Sequence, residues 1–257
     1  MPDPIPPAAK RVAVVTGGTG GVGRAVVSDL VERGYAVAMT YHRNKAAARQ
    51  AELSLRPATV RSLQVDVADW HQVDSAIAGI ADQFGGIDLV VHAAGALVEW
   101  QYVAELDVEA WRRYIDSDLH GAFHIVRAAI PHLRRRGGGA LILISSIAAQ
   151  MCQPRNAQGS VAKAGVEALM RVVAREEARH NIRVNAVSVG LTDTPMGQDA
   201  LARWGEETAK KIVRAIPLGR IGTPQEVARL VGYLASGDGS YITGKVLQID
   251  GGQFIAG

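Results

Sequence analysis

The stretch VAVVTGGTGGVG, residues 12–23, constrains the fold more than any other part of the chain. A short apolar run ends in clustered glycines and opens directly into helical spacing at VGRAVVSDLVERG, residues 22–34. This reads as a buried strand, a tight turn and the start of a helix. Glycines let the backbone turn sharply and approach a ligand closely, and a helix N-terminus offers free N–H groups and a positive dipole end. The combination fits a pyrophosphate, and therefore a dinucleotide, at the first strand–helix unit of an open α/β sheet.

The pattern repeats down the chain. Further short apolar runs occur at AVAMTY (36–41), VRSLQVDV (60–67), DLVVHAAG (88–95), ALILISS (140–146), RVNAVSVG (183–190) and KVLQID (245–250). Helical spacing lies between them at 44–55, 70–84, 108–134, 158–180 and 224–236, with a less regular helical stretch over 195–215. The alternation predicts a Rossmann-like, doubly wound parallel sheet of seven strands with helices on both faces, in a single α/β domain over residues 11–257. Hydrophobic residues make up 48% of the 257 and aromatics only 5%, so the core is built from Ala, Val, Leu and Ile, as suits a parallel sheet covered on both faces. Residues 1–10, with four prolines, read as an exposed tail rather than a targeting segment.

The bulk chemistry narrows the partners. A net charge of +3 and a pI near 9.1, spread along the chain, suit acidic or phosphorylated small ligands and give no nucleic-acid patch. The triplet Arg134, Arg135 and Arg136 is read as cations at a helix C-terminus. No apolar run reaches membrane-spanning length. The single cysteine, Cys152, allows no internal disulfide and fits a reducing, cytoplasmic setting, where it reads as a small packed hydrophobe. Asp116, His120 and His124 share one helix face, which is read as packed or solvated rather than as a metal site.

Landmarks in order along residues 10–252 resemble the short-chain dehydrogenases/reductases, nearest to the 3-oxoacyl-carrier-protein reductase type. The spacing T-G-x-x-x-G-x-G over 16–23 carries the first part of that resemblance. Asp66 and Val67 close the third strand, the turn Ala93-Ala94-Gly95 follows the fourth, and ISS ends the fifth at Ser146. Then come Lys163, the segment GLTDTPM with Thr194, and a closing segment over 217–252. The resemblance implies a nicotinamide cofactor held by Gly17, Thr19, Gly20, Gly21, Val22, Gly23, Tyr41, His42, Arg43, Asp66, Val67, Ala93, Ala94, Gly95, Lys163, Val189, Gly190, Thr192 and Thr194. Where users of NAD tend to carry an acid at the end of the second strand, this chain has Tyr41, followed by His42 and Arg43. A guanidinium suits a 2′-phosphate, so NADPH/NADP is favoured over NAD. Relatives usually form tetramers through the helices equivalent to 108–134 and 158–180, which implies a homotetramer or dimer.

The implied catalytic set is Asn, Ser, Tyr and Lys. This chain keeps Ser146 and Lys163, and has Asp118 in place of Asn. The position thirteen after Ser146 and four before Lys163, where the family's tyrosine stands, is Gly159, at the loose start of a helix whose regular part opens near Ser160. His92 and Val189 also replace the usual Asn and Pro. Catalytic expectations therefore rest on Ser146, Lys163, Asp118 and the gap at Gly159. A tyrosine-sized space above Lys163 is expected to take water or a larger substrate, and Asp118 to pair with Lys163 and hold it charged. Met196, Leu201, Trp204 and Ile212 favour an apolar or aromatic substrate.

Three functions remain open. The first is an NADPH-dependent carbonyl reductase of small molecules with altered proton delivery. The second is a catalytically impaired subunit that joins a competent homologous reductase in a mixed oligomer. The third is non-redox chemistry in the same pocket.

Overall fold

The computed structural model describes residues 10–255, so the expected tail lies, Lys10 apart, outside the described residues. β1 (Val12–Thr16), α1 (Gly21–Glu32), β2 (Ala36–Tyr41), α2 (Lys45–Ser54), β3 (Val60–Gln64), α3 (Trp70–Phe84) and β4 (Leu89–His92) form the first half. The second half holds α4 (Val108–Ile115), α5 (Gly121–Arg136), β5 (Gly139–Ser146), the short α6 (Ala148–Met151), α7 (Ala157–Glu177) and β6 (Ile182–Val189). It closes with α8 (Pro195–Trp204), α9 (Glu206–Ala215), α10 (Pro224–Ala235) and β7 (Val246–Ile249). The seven strands lie in the order β3-β2-β1-β4-β5-β6-β7, and every neighbouring pair is parallel.

Alternation along the strands feeds two cores. Val14, Ala38, Val90, Leu141, Leu143, Val184 and Ala186 face α3, α5 and α7. Ala13, Val15, Val37, Met39, Leu89, Val91, Ile142 and Val187 face α1 and α10. Because β1 and β4 are neighbours although five elements of chain separate them, the connections after these two strands run to opposite halves of the sheet. The crevice at such a switch point is where open α/β sheets bind ligands.

Several boundaries differ from the sequence expectation, each for a local reason. β3 stops at Gln64 rather than at Val67, because Asp66 leaves the ladder. Its N–H donates to Gln72 Oε1 at 3.0 Å and its carboxylate accepts from the Ala68 N–H at 3.0 Å. The helix expected over 108–134 carries a π-turn at Asp116–His120, between α4 and α5, and continues to Arg136. The stretch 195–215 is two helices, broken at Gly205, whose φ of 79° no helix accommodates. Of the basic triplet, Arg134 grips the buried Glu177 at the end of α7, and Arg136 pairs at 2.8 Å with Asp88 just before β4, so one ties two helix ends together and the other ties the end of α5 to the sheet.

α10 starts with a capping box. Thr223 Oγ1 accepts from the Glu226 N–H at 3.3 Å, and Glu226 Oε2 accepts from the Thr223 N–H at 2.8 Å. Arg220, hydrogen-bonded to Glu226, and then the Thr223 N–H hold that carboxyl down to about 2. Loss of such a cap costs about 1 kcal/mol, so Glu226→Ala is expected to lower Tm by about 2–4 °C at neutral pH. The lowered folded-state value means this stabilisation is complete above the ordinary 4.5 and fades as pH falls toward 2. Calorimetry of both proteins from pH 7 down to pH ~3 checks that the Tm gap closes on acidification.

Candidate active site

The turn between β1 and α1 is built by close backbone approach. Gly17 has φ +65°, and a Cβ there would lie 2.7 Å from the Ala94 Cα, so glycine alone fits between the turns after β1 and β4. Gly21 opens α1 against Thr194, whose Cβ would be 2.6 Å from any side-chain carbon at 21. Gly20 is the N-cap and supplies no side-chain cap, so the first N–H groups of α1, at Gly21, Val22 and Gly23, stay available for an anion, while the Gly20 N–H closes the turn onto the Gly17 carbonyl at 2.9 Å beside Thr19. This arrangement fits the pyrophosphate of a dinucleotide.

The other positions expected to hold a cofactor fall into two groups. Tyr41, His42, Arg43, Asp66 and Val67 lie at and just beyond the C-terminal ends of β2 and β3, where Tyr41 is in register with Gln64. His42 Nε2 lies 3.7 Å from Asp66 Oδ2, and the exposed Arg43 makes no ion pair among the described residues. Ala93, Ala94, Gly95, Val189, Gly190, Thr192 and Thr194 line the ends of β4 and β6. Thr16 Oγ1 accepts from the N–H groups of Ala93 (3.2 Å) and Ala94 (3.3 Å), which fixes the turn after β4. Thr192 Oγ1 donates to the Gly190 carbonyl at 3.0 Å, and Thr194 Oγ1 caps α8 by accepting from the Gly197 N–H at 3.0 Å.

Asp118, Lys163 and the end of β5 come together as one cluster. Lys163 Nζ is 2.9 Å from Asp118 Oδ1, with the two side chains 12% and 1% exposed. The ammonium also donates to the Ile144 carbonyl at 3.3 Å, two residues before Ser146. Asp118 Oδ2 accepts from the Ala96 N–H at 2.8 Å, which draws the loop after β4 onto the same carboxylate. Asp118 lies in the π-turn, a distortion often found at functional sites. Ser146 Oγ accepts from the Ala148 N–H at 3.2 Å at the strand end. The expected pairing of Asp118 with Lys163 is therefore present.

Gly159 differs from its expected place. α7 begins at Ala157, so Gly159 sits buried in the first helical turn rather than at a loose edge. The root of the expected open space is also taken: a Cβ at 159 would run into Asn156 Oδ1. Neither Asn156 nor Trp100 was singled out from the sequence. Asn156 is the first residue of NAQGSVAK, three before the glycine; Trp100 lies in the aromatic-rich run EWQY after β4. Trp100 meets Trp204 edge-on at 5.4 Å, joining that loop to the end of α8. The loop is tied to α7 by the Gln101–Asn156 bridge and by Gln158 Nε2, which donates to the Glu99 carbonyl at 2.8 Å.

The three residues weighed for a metal go separate ways. His120 Nδ1 lies 2.9 Å from Asp116 Oδ1, whereas His124 Nδ1 turns to the Val67 carbonyl at 3.0 Å. Cys152 is exposed rather than packed, with φ 48° in the loop after α6.

His92 is fully enclosed. Burial first, and then the Lys163 ammonium, push its imidazole down to about 3. Thr16 Oγ1 already accepts from Ala93 and Ala94, so it donates to His92 Nδ1 at 2.9 Å, and the ring proton is assigned to Nε2. An imidazole kept neutral in the fold but free to charge when unfolded destabilises the protein as pH falls below the ordinary 6.5 toward 3. His92→Asn is expected to flatten that part of the acid limb, as measured by denaturant unfolding at a series of pH values.

Comparisons with known proteins point to one family and one fold. A family profile described as Enoyl-(Acyl carrier protein) reductase matches residues 17–253. The chain is 34% identical over 247 residues to a 3-oxoacyl-[acyl-carrier-protein] reductase FabG of Staphylococcus aureus, covering 95% of this chain and 98% of that one. It is 38% identical over 246 residues to a cis-4-hydroxycyclohexanecarboxylate dehydrogenase of Sinomonas cyclohexanicum, covering 95% and 96%. Among solved structures, a short-chain type dehydrogenase/reductase from Mycobacterium ulcerans superposes with TM-score 0.90 at 30% identity, covering 95% of this chain and 89% of that one. Levodione reductase also superposes with TM-score 0.90, at 28% identity, covering 95% and 97%. Glycine turn, strand order and full-length similarity together make this chain a member of the short-chain dehydrogenase/reductase family.

Proposed function

We propose that this chain is an NADP(H)-dependent carbonyl reductase that works without a phenol at position 159. The observation that carries the reading is the buried Asp118–Lys163 pair at 2.9 Å, held beside the end of β5 while the glycine turn at α1 is intact. When bound, the nicotinamide cofactor supplies the hydride to the carbonyl carbon. Ser146 holds the carbonyl oxygen. Lys163, compensated by Asp118, delivers the proton to that oxygen through water, and Ser146 and the turn over Ala93–Gly95 fix the reacting groups. Positioned general acid help is worth about 10²–10⁴ in rate. Positioning by the remaining residues supplies the rest.

Arg43, free of ion pairs among the described residues at the end of β2, supports the choice of NADPH over NADH. Trp100 and Trp204, with Leu97 and Met196 exposed beside them in the chain, support an apolar or aromatic substrate. The names of the relatives, a 3-oxoacyl carrier-protein reductase and a hydroxycyclohexanecarboxylate dehydrogenase, support ketone–alcohol chemistry. Exposed Phe123 on α5 and Val161 and Val172 on α7 support assembly of copies through these two helices.

Purified homomer is expected to oxidise NADPH in the presence of aryl ketones, quinones or 3-oxoacyl thioesters. Lys163→Ala should cut kcat by about 10²-fold or more; unchanged turnover would refute the lysine route. Arg43→Ala should raise KM for NADPH by about tenfold, from the loss of a charge-assisted contact worth about 1.5–3 kcal/mol, and leave KM for NADH unchanged. Turnover only in mixtures with a tyrosine-bearing homologue would instead establish an impaired subunit. Product without net cofactor consumption would establish non-redox chemistry.

A further inference from the structure

The place of the absent side chain is filled from one turn earlier in the same helix. A Cβ built on Gly159 collides with Asn156 Oδ1 and lies 3.0 Å and 3.2 Å from the Cγ and Nδ2 of the same residue. Side chains in a helix lean toward its N-terminus, so a residue at 159 and the N-cap at 156 compete for one volume. Asn156 wins it here because glycine makes no claim. Its backbone is fixed by the bridge to Gln101 and by the Ser160 N–H, which donates to its carbonyl at 3.0 Å.

The Asn156 side chain is not used as an N-cap asparagine ordinarily is. It accepts from no backbone N–H of α7. The residue is 5% exposed, and its Oδ1 has no hydrogen-bond partner among the described residues. Buried polar atoms are nearly always paired, so an orphan on the same helix face as Lys163 points to a ligand that pairs it. Asn156, Gly159 and Lys163 stand at i, i+3 and i+7, along one face of α7.

We infer that Asn156 takes the place of the residue missing at 159 and that its carboxamide binds the reacting oxygen of the substrate. A half-turn about the terminal torsion exchanges Oδ1 and Nδ2 within the same outline. Nδ2 then donates to a carbonyl oxygen, and Oδ1 accepts from the hydroxyl of the alcohol. The carboxamide carries no exchangeable acid near neutral pH, so it holds the oxygen while Lys163 serves the proton. The substrate contact rests on the reductase reading; the occupancy of the position does not.

A melting-temperature cycle tests the occupancy. Alanine normally favours a helix over glycine. Gly159→Ala is expected to lower Tm in the parent, where Asn156 is in the way, and to raise it in an Asn156→Ala background. The same sign in both backgrounds would overturn the occupancy. Asn156→Asp tests the contact, because aspartate matches asparagine in size, and a thermal melt of the variant establishes that it folds. Its kcat is expected to gain a carboxyl ionisation absent from the parent's pH profile. An unchanged profile with unchanged KM would overturn the contact. A parent inactive on every carbonyl substrate would overturn the reductase reading and the contact with it, while the melting cycle still decides what fills the position.

Discussion

The buried ion pair between Asp118 and Lys163 is the constraint on which the rest of the site depends. A charge taken out of water is tolerated only when paired and hydrogen-bonded, and each partner here anchors a different part of the chain. Asp118 reaches the pair from a π-turn between α4 and α5 and holds the loop after β4 through the Ala96 N–H. Lys163 reaches it from α7 and holds the end of β5 through the Ile144 carbonyl. Four elements therefore converge on one pair of charges. The same Lys163 ammonium adds to the burial that keeps His92 neutral, and His92 in turn shares Thr16 with the turn at Ala93 and Ala94. Charge, turn and strand end are set together.

The sheet was legible because its signals are local and redundant. Seven apolar runs, each followed by a polar or glycine stop, and a glycine turn at the first strand–helix junction left one architecture. The strand-end turns where most of the cofactor residues are proposed were legible for the same reason, since strand ends are marked in the sequence. What was not legible depends on contacts between distant segments. The π-turn at Asp116–His120 needs one extra residue inside a helix whose periodicity looks continuous. The early end of β3 depends on Gln72 reaching back to the Asp66 N–H. Asn156 occupying the space beside Gly159 could be suspected from their spacing of three, but only the structure shows that this asparagine has turned away from capping its own helix.

The chemistry follows from the same distinction. A missing side chain is visible in a sequence, whereas the group that moves into its place is not. On the proposed reading, a carboxamide beside Gly159 holds the substrate oxygen without being an acid, so proton delivery rests on the Asp118–Lys163 pair. The aromatic contact of Trp100 with Trp204 joins the loop after β4 to the end of α8, and that loop is bridged to Asn156 through Gln101. On the proposed reading, one connected segment thereby sets both substrate shape and oxygen contact.

The central claim is that hydride chemistry proceeds at this site without a tyrosine. The most direct measurement is a single turnover of the pure homomer with NADPH carrying deuterium at both C4 positions of the nicotinamide, followed by mass analysis of the product. The account predicts one deuterium on the carbinol carbon of the alcohol. An unlabelled product, or none from any carbonyl substrate, would contradict it.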